Sequence, residues 1–240
     1  MTIMPLFCNN LARKDVLIGI MFVMGVNQSN CTDMLNTARE ELARQVGLFS
    51  EKYAARRKAV RDTLRNGVYK PAGRGKPASE YLLRMISEGE AVPVINPVVD
   101  IFNYLSARYQ IPISVWDTEV NANAGVSFEL GQSEDSYAFN TAGHEIALHD
   151  LIIGCVTGSE DRTPIVSPVK DAHSVKVGDK TDNVAAAFYL PESERAAFAE
   201  MEASAKKMLQ LSAPGSHIES ALLASGEEKR FKAFVDHRDG

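Results

Sequence analysis

Between residues 111 and 190 the chain breaks into short apolar or alternating runs: "IPISVW", "GVSFEL", "SYAFN", "EIALHD", "LIIGCVT", "TPIVSP", "HSVKV" and "NVAAAFYL". Runs of this length, most of them separated by turn formers, predict β-strands. One more run, "VLIGIMFVMGV" at 16–26, is apolar throughout. It is too short for the roughly 20 residues that a membrane-crossing helix needs, so a buried strand is predicted there too. Arg13, Lys14 and Asp15 precede it and no small-residue cleavage site follows, which argues against a signal peptide.

Helical patterns flank this strand-rich middle. "TDMLNTAREELARQVGLFSEKYAARRKAVRDTLRNG" starts at Thr32 or Asp33 as N-cap, stops at Gly67, and is expected to break near Gly47. "ASEYLLRMISEGE" predicts a short helix from Ser79 to Gly89. A further helix opens at Asn96, a capping residue, with Pro97 at the first helical position. From Pro191 onward, "ESERAAFAEMEASAKKMLQL" and, after a loop, "IESALLASGEEKRFKAFV" read as two helices. The expected fold class is α/β of the α+β kind. A main domain spans 1–190, and a helical C-terminal extension, 191–240, packs on it. That extension could cover a pocket or form a homodimer.

Composition narrows the setting. A hydrophobic share of 45% and a charged share of 24% are ordinary for a globular chain. The three cysteines, Cys8, Cys31 and Cys155, form no CxxC pair, which argues against a disulfide framework or a cysteine zinc site and suits a reduced, cytoplasmic setting. The net charge of −5 hides a basic stretch, since residues 52–76 hold nine Lys or Arg against Asp62 alone. Such a stripe is either a solvated helix face or an electrostatic footprint for phosphates.

The helix after Asn96, "PVVDIFNYLSARY", poses the sharpest question. At 3.6 residues per turn, Asn96, Asp100, Asn103 and Ala107 line one strip, with Val98, Ile101, Phe102, Leu105 and Tyr109 on its flanks. A carboxylate set among those flanks needs partners, because burial without them costs several kcal/mol. Two readings stay open. Asp100 accepts backbone N–H bonds from a neighbouring loop while Asn103 tethers a strand, or the strip is one wall of a pocket.

The segment "INPVVDIFNYLSARYQIPISVWD" resembles the editing domain of the phenylalanyl-tRNA synthetase β subunit, and its free-standing relatives above all. Asn96, Val99, Asp100, Asn103, Pro112 and Asp117 fall on that pattern. "KPASEYLLRMISEGE" upstream is similar to a family stretch that places Ser79, Leu83 and Arg84. "GHEIALHD" and "GCVTGSEDRTPI" downstream are similar to elements supplying Glu145, Asp150, Cys155, Arg162 and Thr163. The likeness covers roughly 16–190. It implies a mixed α/β editing domain whose pocket holds the aminoacyl end of a charged tRNA. Ser114 stands where the synthetase form has a histidine, and "NVAAAFYLP" lacks the tyrosine-sensing glutamate of its late strand. A pocket shaped for another aminoacyl group is therefore expected.

The resemblance implies site roles. An aminoacyl ester is already activated, so the protein must position its carbonyl, a water and donors for the oxyanion. Asp100, Asn103, Ser79 and Thr163 are the expected catalytic positions. Asn96, Ser114, Asp117, Glu145 and Arg162 are expected to bind substrate, Asp100 or Asp117 at its amino group. Arg56, Arg57, Lys58, Arg61, Arg65, Lys70, Arg74, Lys76 and Arg84 are expected to face tRNA phosphates. Hydrolysis leads. With a small amine or peptide as acceptor, the same geometry would form an amide, and a binding module without turnover is the third reading. No cofactor, metal or membrane partner is called for. His144 and His149 are five apart rather than the four of a helical zinc pair, no G-x-S-x-G elbow occurs, and Cys155 reads as a buried strand residue.

Overall fold

The structure, a computed structural model, describes residues 5–26, 32–90, 94–119, 124–158 and 162–231, without the side chains of 32 and 46–52. The apolar run folds as strand β2 (Val16–Met24), buried at every position. It follows a short β1 (Leu6–Asn9). Two helices come next, α1 (Thr32–Lys52) and α2 (Ala54–Leu64). The expected break near Gly47 lies instead at Tyr53, a buried ring with the Arg56 guanidinium 4.6 Å from its centroid. Helices α3 (Ala78–Ser87) and α4 (Pro97–Tyr109) follow. Asn96 caps α4 as expected, its side chain accepting the Val98 N–H at 3.0 Å.

The middle supplies β3 (Ile113–Asp117), β4 (Gly125–Leu130), β5 (Ser136–Ala138), β6 (Glu145–Ala147), β7 (Ile152–Thr157), β8 (Thr163–Val166) and β9 (Asn183–Pro191). "HSVKV" is not a strand but a 3-10 turn, His173–Val175. Val175 and Val177 are buried, but among the described residues no strand edge pairs with the run, so alternation alone does not make it extended. His144 and His149 accordingly flank β6 rather than lie within it.

After α5 (Arg195–Ser212) comes the largest correction. The expected second C-terminal helix is two strands, β10 (His217–Leu223) and β11 (Glu228–Arg230); its last expected residues lie outside the described ones. β10 pairs antiparallel with β2, and β11 with β1. These edges offer a complete row of unpaired backbone groups, and pairing there outweighs the modest helical propensity of "IESALL". The C-terminal segment thus completes both large sheets.

The sheets are β10-β2-β9-β3 and β11-β1-β4-β7-β8, with β5-β6 as a separate ribbon. Three layers result. On one face of the four-stranded sheet, Phe188 meets Phe102 of α4 and Phe198 of α5, with ring centroids 6.0 and 5.5 Å apart. On its other face, Trp116 meets Phe7 and Tyr189 meets Phe128, each pair at 6.1 Å. These edge-on aromatic contacts tie the layers through both faces of the four-stranded sheet. Within the helical layer, α1 and α3 both lie against α4. No helix among the described residues is long and apolar enough to cross a membrane.

Candidate functional site

The α4 strip lies in a seam under α1 and α3. The flanks Val98, Ile101, Phe102, Leu105 and Tyr109 are buried, and so are Asn96 and Asp100, while Asn103 is part-exposed. One Asp100 oxygen, Oδ1, accepts the Ile95 N–H at 3.3 Å and lies 3.8 Å from Arg39 Nη2 of α1. The second distance is an ion pair but too long for a hydrogen bond. Burial raises the Asp100 pKa, and the Ile95 amide and the Arg39 charge offset that only in part. The loop contact expected of a structural aspartate is therefore present, but it leaves the carboxylate under-partnered.

The far end of the strip carries Gln110, one turn beyond Ala107. It caps α4 in the left-handed region, at φ 56°. Its Nε2 donates to Ala107 O at 2.6 Å and to Ser79 O at 3.3 Å. Four buried polar atoms along this seam have no hydrogen-bond partner: Arg39 Nε and Nη2, Ser79 Oγ and Gln110 Oε1. Only two other such atoms, Arg162 Nη2 and Ser216 Oγ, occur among the described residues. Orphaned buried polar atoms are rare and costly, so their concentration between α1, α3 and α4 marks a place built for polar contacts that the chain does not itself supply.

The structure thus places Asn96, Asp100 and Asn103 on one strip of α4 and Ser79 at its far end, beside Gln110. It sets the other expected site residues elsewhere. Ser114 lies between the sheets, its Oγ donating to Ser167 O at 2.9 Å and lying 3.0 Å from Tyr189 Oη. Asp117 holds Thr181 Oγ1 at 2.5 Å and the Glu119 N–H at 2.8 Å at the end of β3. Arg162 is clamped by Glu129 and, at 2.6 and 2.7 Å, by both oxygens of Asp135. Thr163 is exposed on β8, and Glu145 is exposed on the β5-β6 ribbon. Cys155 is buried and burial pushes its thiol up to about 12, so it stays protonated and unreactive. No group of three or more His, Cys, Asp or Glu converges among the described residues.

The basic stretch divides between α2 and the loop before α3. Arg56 is turned inward, bonded to Glu194 at 2.7 Å and to Tyr109 O at 3.0 Å. Arg61 forms a two-pronged pair with Glu80, one bond at 2.5 Å. Lys58 and Arg65 are exposed and share only the loose company of Asp62, at 3.5 and 3.8 Å. Lys70, Arg74 and Lys76 are exposed in the loop. That loop is tied to the 167–172 turn where the Ala78 N–H donates to Pro168 O at 3.0 Å. The join brings Arg74 towards Lys170 and Lys176. Burial, then these two neighbouring cations, lowers the Lys170 pKa.

Between α2 and α3 a groove of about 360 Å³ is lined by Arg57, Arg61, Glu80, Arg84, Ser87 and Gln110 over a floor at Leu83. It opens at the Gln110 end of the α4 strip. Arg84 is half-exposed, 3.6 Å from Glu88, and its guanidinium sits 5.2 Å from the centroid of the exposed Tyr81 ring.

Three polar groups escape the sequence, Gln110 and Arg39 in the seam and Asp171 apart from it. Gln110 was within reach, because it extends the strip by one turn. Arg39 was not, because nothing local links it to Asp100. Asp171 stands in a turn with no motif around it. It is part-exposed as a residue, yet its carboxyl is enclosed, accepting Val115 N–H at 3.2 Å and Ser167 N–H at 3.4 Å, and burial pushes it up to about 7.

Residues 68–206 match the family model of the B3/4 domain, a span from the loop before α3 to within α5 that leaves α1, α2 and the strands β1, β2, β10 and β11 outside. No curated protein matches the chain. The match takes in α3, α4 and the strand-rich middle and covers more than half of the 240 residues, so the chain belongs to the B3/4 domain family, the editing-like domain of the phenylalanyl-tRNA synthetase β subunit, linked to tRNA editing.

Proposed function

We propose that this protein acts on the aminoacyl end of a charged tRNA and hydrolyses the aminoacyl ester. The observation that carries the reading is the under-partnered polar seam of α4 inside the B3/4 match: buried Asp100 faces the orphaned Arg39 nitrogens, and the orphaned Ser79 and Gln110 oxygens lie farther along the strip. A substrate ammonium supplies the directly hydrogen-bonded charge partner that Arg39, at 3.8 Å, does not, and its arrival favours the ionised carboxylate. Part-exposed Asn103, on the same strip, orients the water or the ester carbonyl. Arg39, with two unpaired N–H groups, is the donor best suited to the developing oxyanion. Holding ester and water in register is sufficient work for a protein here, since the ester is reactive by itself.

A second reading, binding without turnover, draws support from one feature. Ser114, Asp117 and Arg162 are already committed to partners within the fold. The experiment is discharge of a panel of aminoacyl-tRNAs, each labelled in its amino acid, by the wild type and by Asp100→Asn. Selective release of free amino acid, lost in the variant, is the expected result. An amide product instead would identify a transferase. No discharge across the panel by folded protein, with or without added amines, would leave binding alone.

A further inference from the structure

Two of the residues that line the groove between α2 and α3 lie outside the family match. Arg57 and Arg61 come from α2, ahead of residue 68, whereas Glu80, Arg84, Ser87 and Gln110 lie within the match. The groove therefore joins residues inside the matched span to the α2 helix that precedes it. Its volume, about 360 Å³, is at the lower end of small-molecule sites. Its chemistry is mixed in a particular way. Arg61 is neutralised by Glu80, while Arg84 has a loose i,i+4 contact at 3.6 Å to half-exposed Glu88 and the Tyr81 ring beside it. Gln110 is 1% exposed, and its Oε1 has no hydrogen-bond partner. Tyr81, 55% exposed beside Arg84, offers a flat ring at the rim.

We propose that this groove holds one nucleotide of an RNA strand, with its phosphate at Arg84 and Arg57, its base stacked on Tyr81, and a hydroxyl or amino hydrogen donated to Gln110 Oε1. Guanidinium groups suit phosphate oxygens, an exposed aromatic ring accepts any base face, and a buried carbonyl oxygen calls for a donor. The groove meets the α4 strip at Gln110, ten residues along the helix from Asp100. At 1.5 Å per residue that is about 15 Å. A strand whose aminoacylated end reaches Asp100 thus passes the groove a short way before its terminus. The inference rests on the reading that the protein acts on charged tRNA, but it concerns the strand and not the ester.

The test is binding of uncharged tRNA, followed by fluorescence anisotropy over a range of salt. Arg84→Glu and Ser87→Glu lie at half-exposed or exposed positions of α3, and each is expected to weaken binding about tenfold or more. Tyr81→Ala should weaken it severalfold without changing the salt slope. Arg84→Gln should lower that slope by about one. Lys180→Glu, an exposed charge change away from the groove, is the control. Adenosine monophosphate and inorganic phosphate are run as competitors and should displace tRNA only weakly. Groove variants that match the control would overturn the inference, as would a free nucleotide that binds as tightly as tRNA. Failure here with discharge intact removes the groove alone. Groove-dependent binding without discharge removes the hydrolase reading alone.

Discussion

Asp100 of α4 and Arg39 of α1 face each other at 3.8 Å, nearly buried and without a hydrogen bond between them. A buried ion pair in this state stabilises little. Desolvation weighs against both charges, and the separation forfeits the directional part of the attraction. The pair is better placed to receive a ligand than to hold the fold. Removing one partner, as in Arg39→Met, is expected to cost about 3 kcal/mol because it strands the other charge. Arg39→Met combined with Asp100→Asn should recover most of that loss in urea unfolding while discharge stays at least tenfold reduced. A double variant as unstable as the sum of the two would instead make the pair structural.

Asp171 gives a pH signature. Its folded carboxyl titrates near 7, against an ordinary value of 3.8, because burial disfavours the charge. The folded state therefore holds a proton that the unfolded state has released, and stability falls as pH rises from about 4 to about 7. Asp171→Asn has nothing to titrate, so its stability relative to wild type should rise across that window. Urea unfolding at about pH 5 and about pH 8 reads the difference. An equal gap at both values would mean an unshifted carboxyl.

Gly67 sits at φ 43°, where an added Cβ would collide with the Asp150 carboxylate that accepts the Val68 N–H at 2.7 Å. Gly67→Ala is expected to cost about 2 kcal/mol, from the left-handed backbone and the displaced hydrogen bond together. Asp150→Ala alone should cost about 1 kcal/mol. The double variant should fall short of the sum, because the collision is gone. Strict additivity in a double-mutant cycle would exclude the contact as the cause.

Lys170 holds its ammonium 3.5 Å from the centroid of the Phe139 ring, which stacks on His144 with centroids 6.2 Å apart. With Arg74 and Lys176 close by, this is a second basic surface, joined to the loop before α3. If RNA phosphates follow it, Lys170→Met should lower the salt slope of tRNA binding by about one and weaken binding across all tRNAs alike. An unchanged slope would place the strand elsewhere.

Much of the local structure was legible in the residues. The unbroken apolar run made β2, Asn96 and Pro97 set the start of α4, and the flanks of its strip are buried. Each of these depends on periodicity or on a hydrogen bond within a few positions. The basic stretch was legible as composition but not as an interface. Arg56 and Arg61 are taken up by Glu194 and Glu80, from α2's neighbours in space.

The sequence by itself determined an α/β framework, a capped helix with a polar strip, and membership of a known motif order. Only the tertiary structure decided which polar groups meet. It made strands of 217–223 and 228–230, because the open edges of β2 and β1 offered backbone partners that no local propensity encodes. It tied Arg162 to Glu129 and Asp135, set Arg39 over Asp100, and left Gln110 Oε1 without a partner. The physical reason is range. Turns, caps and periodic faces are decided by residues a few positions apart, whereas charge pairing, desolvation and edge pairing depend on neighbours that arrive from far along the chain.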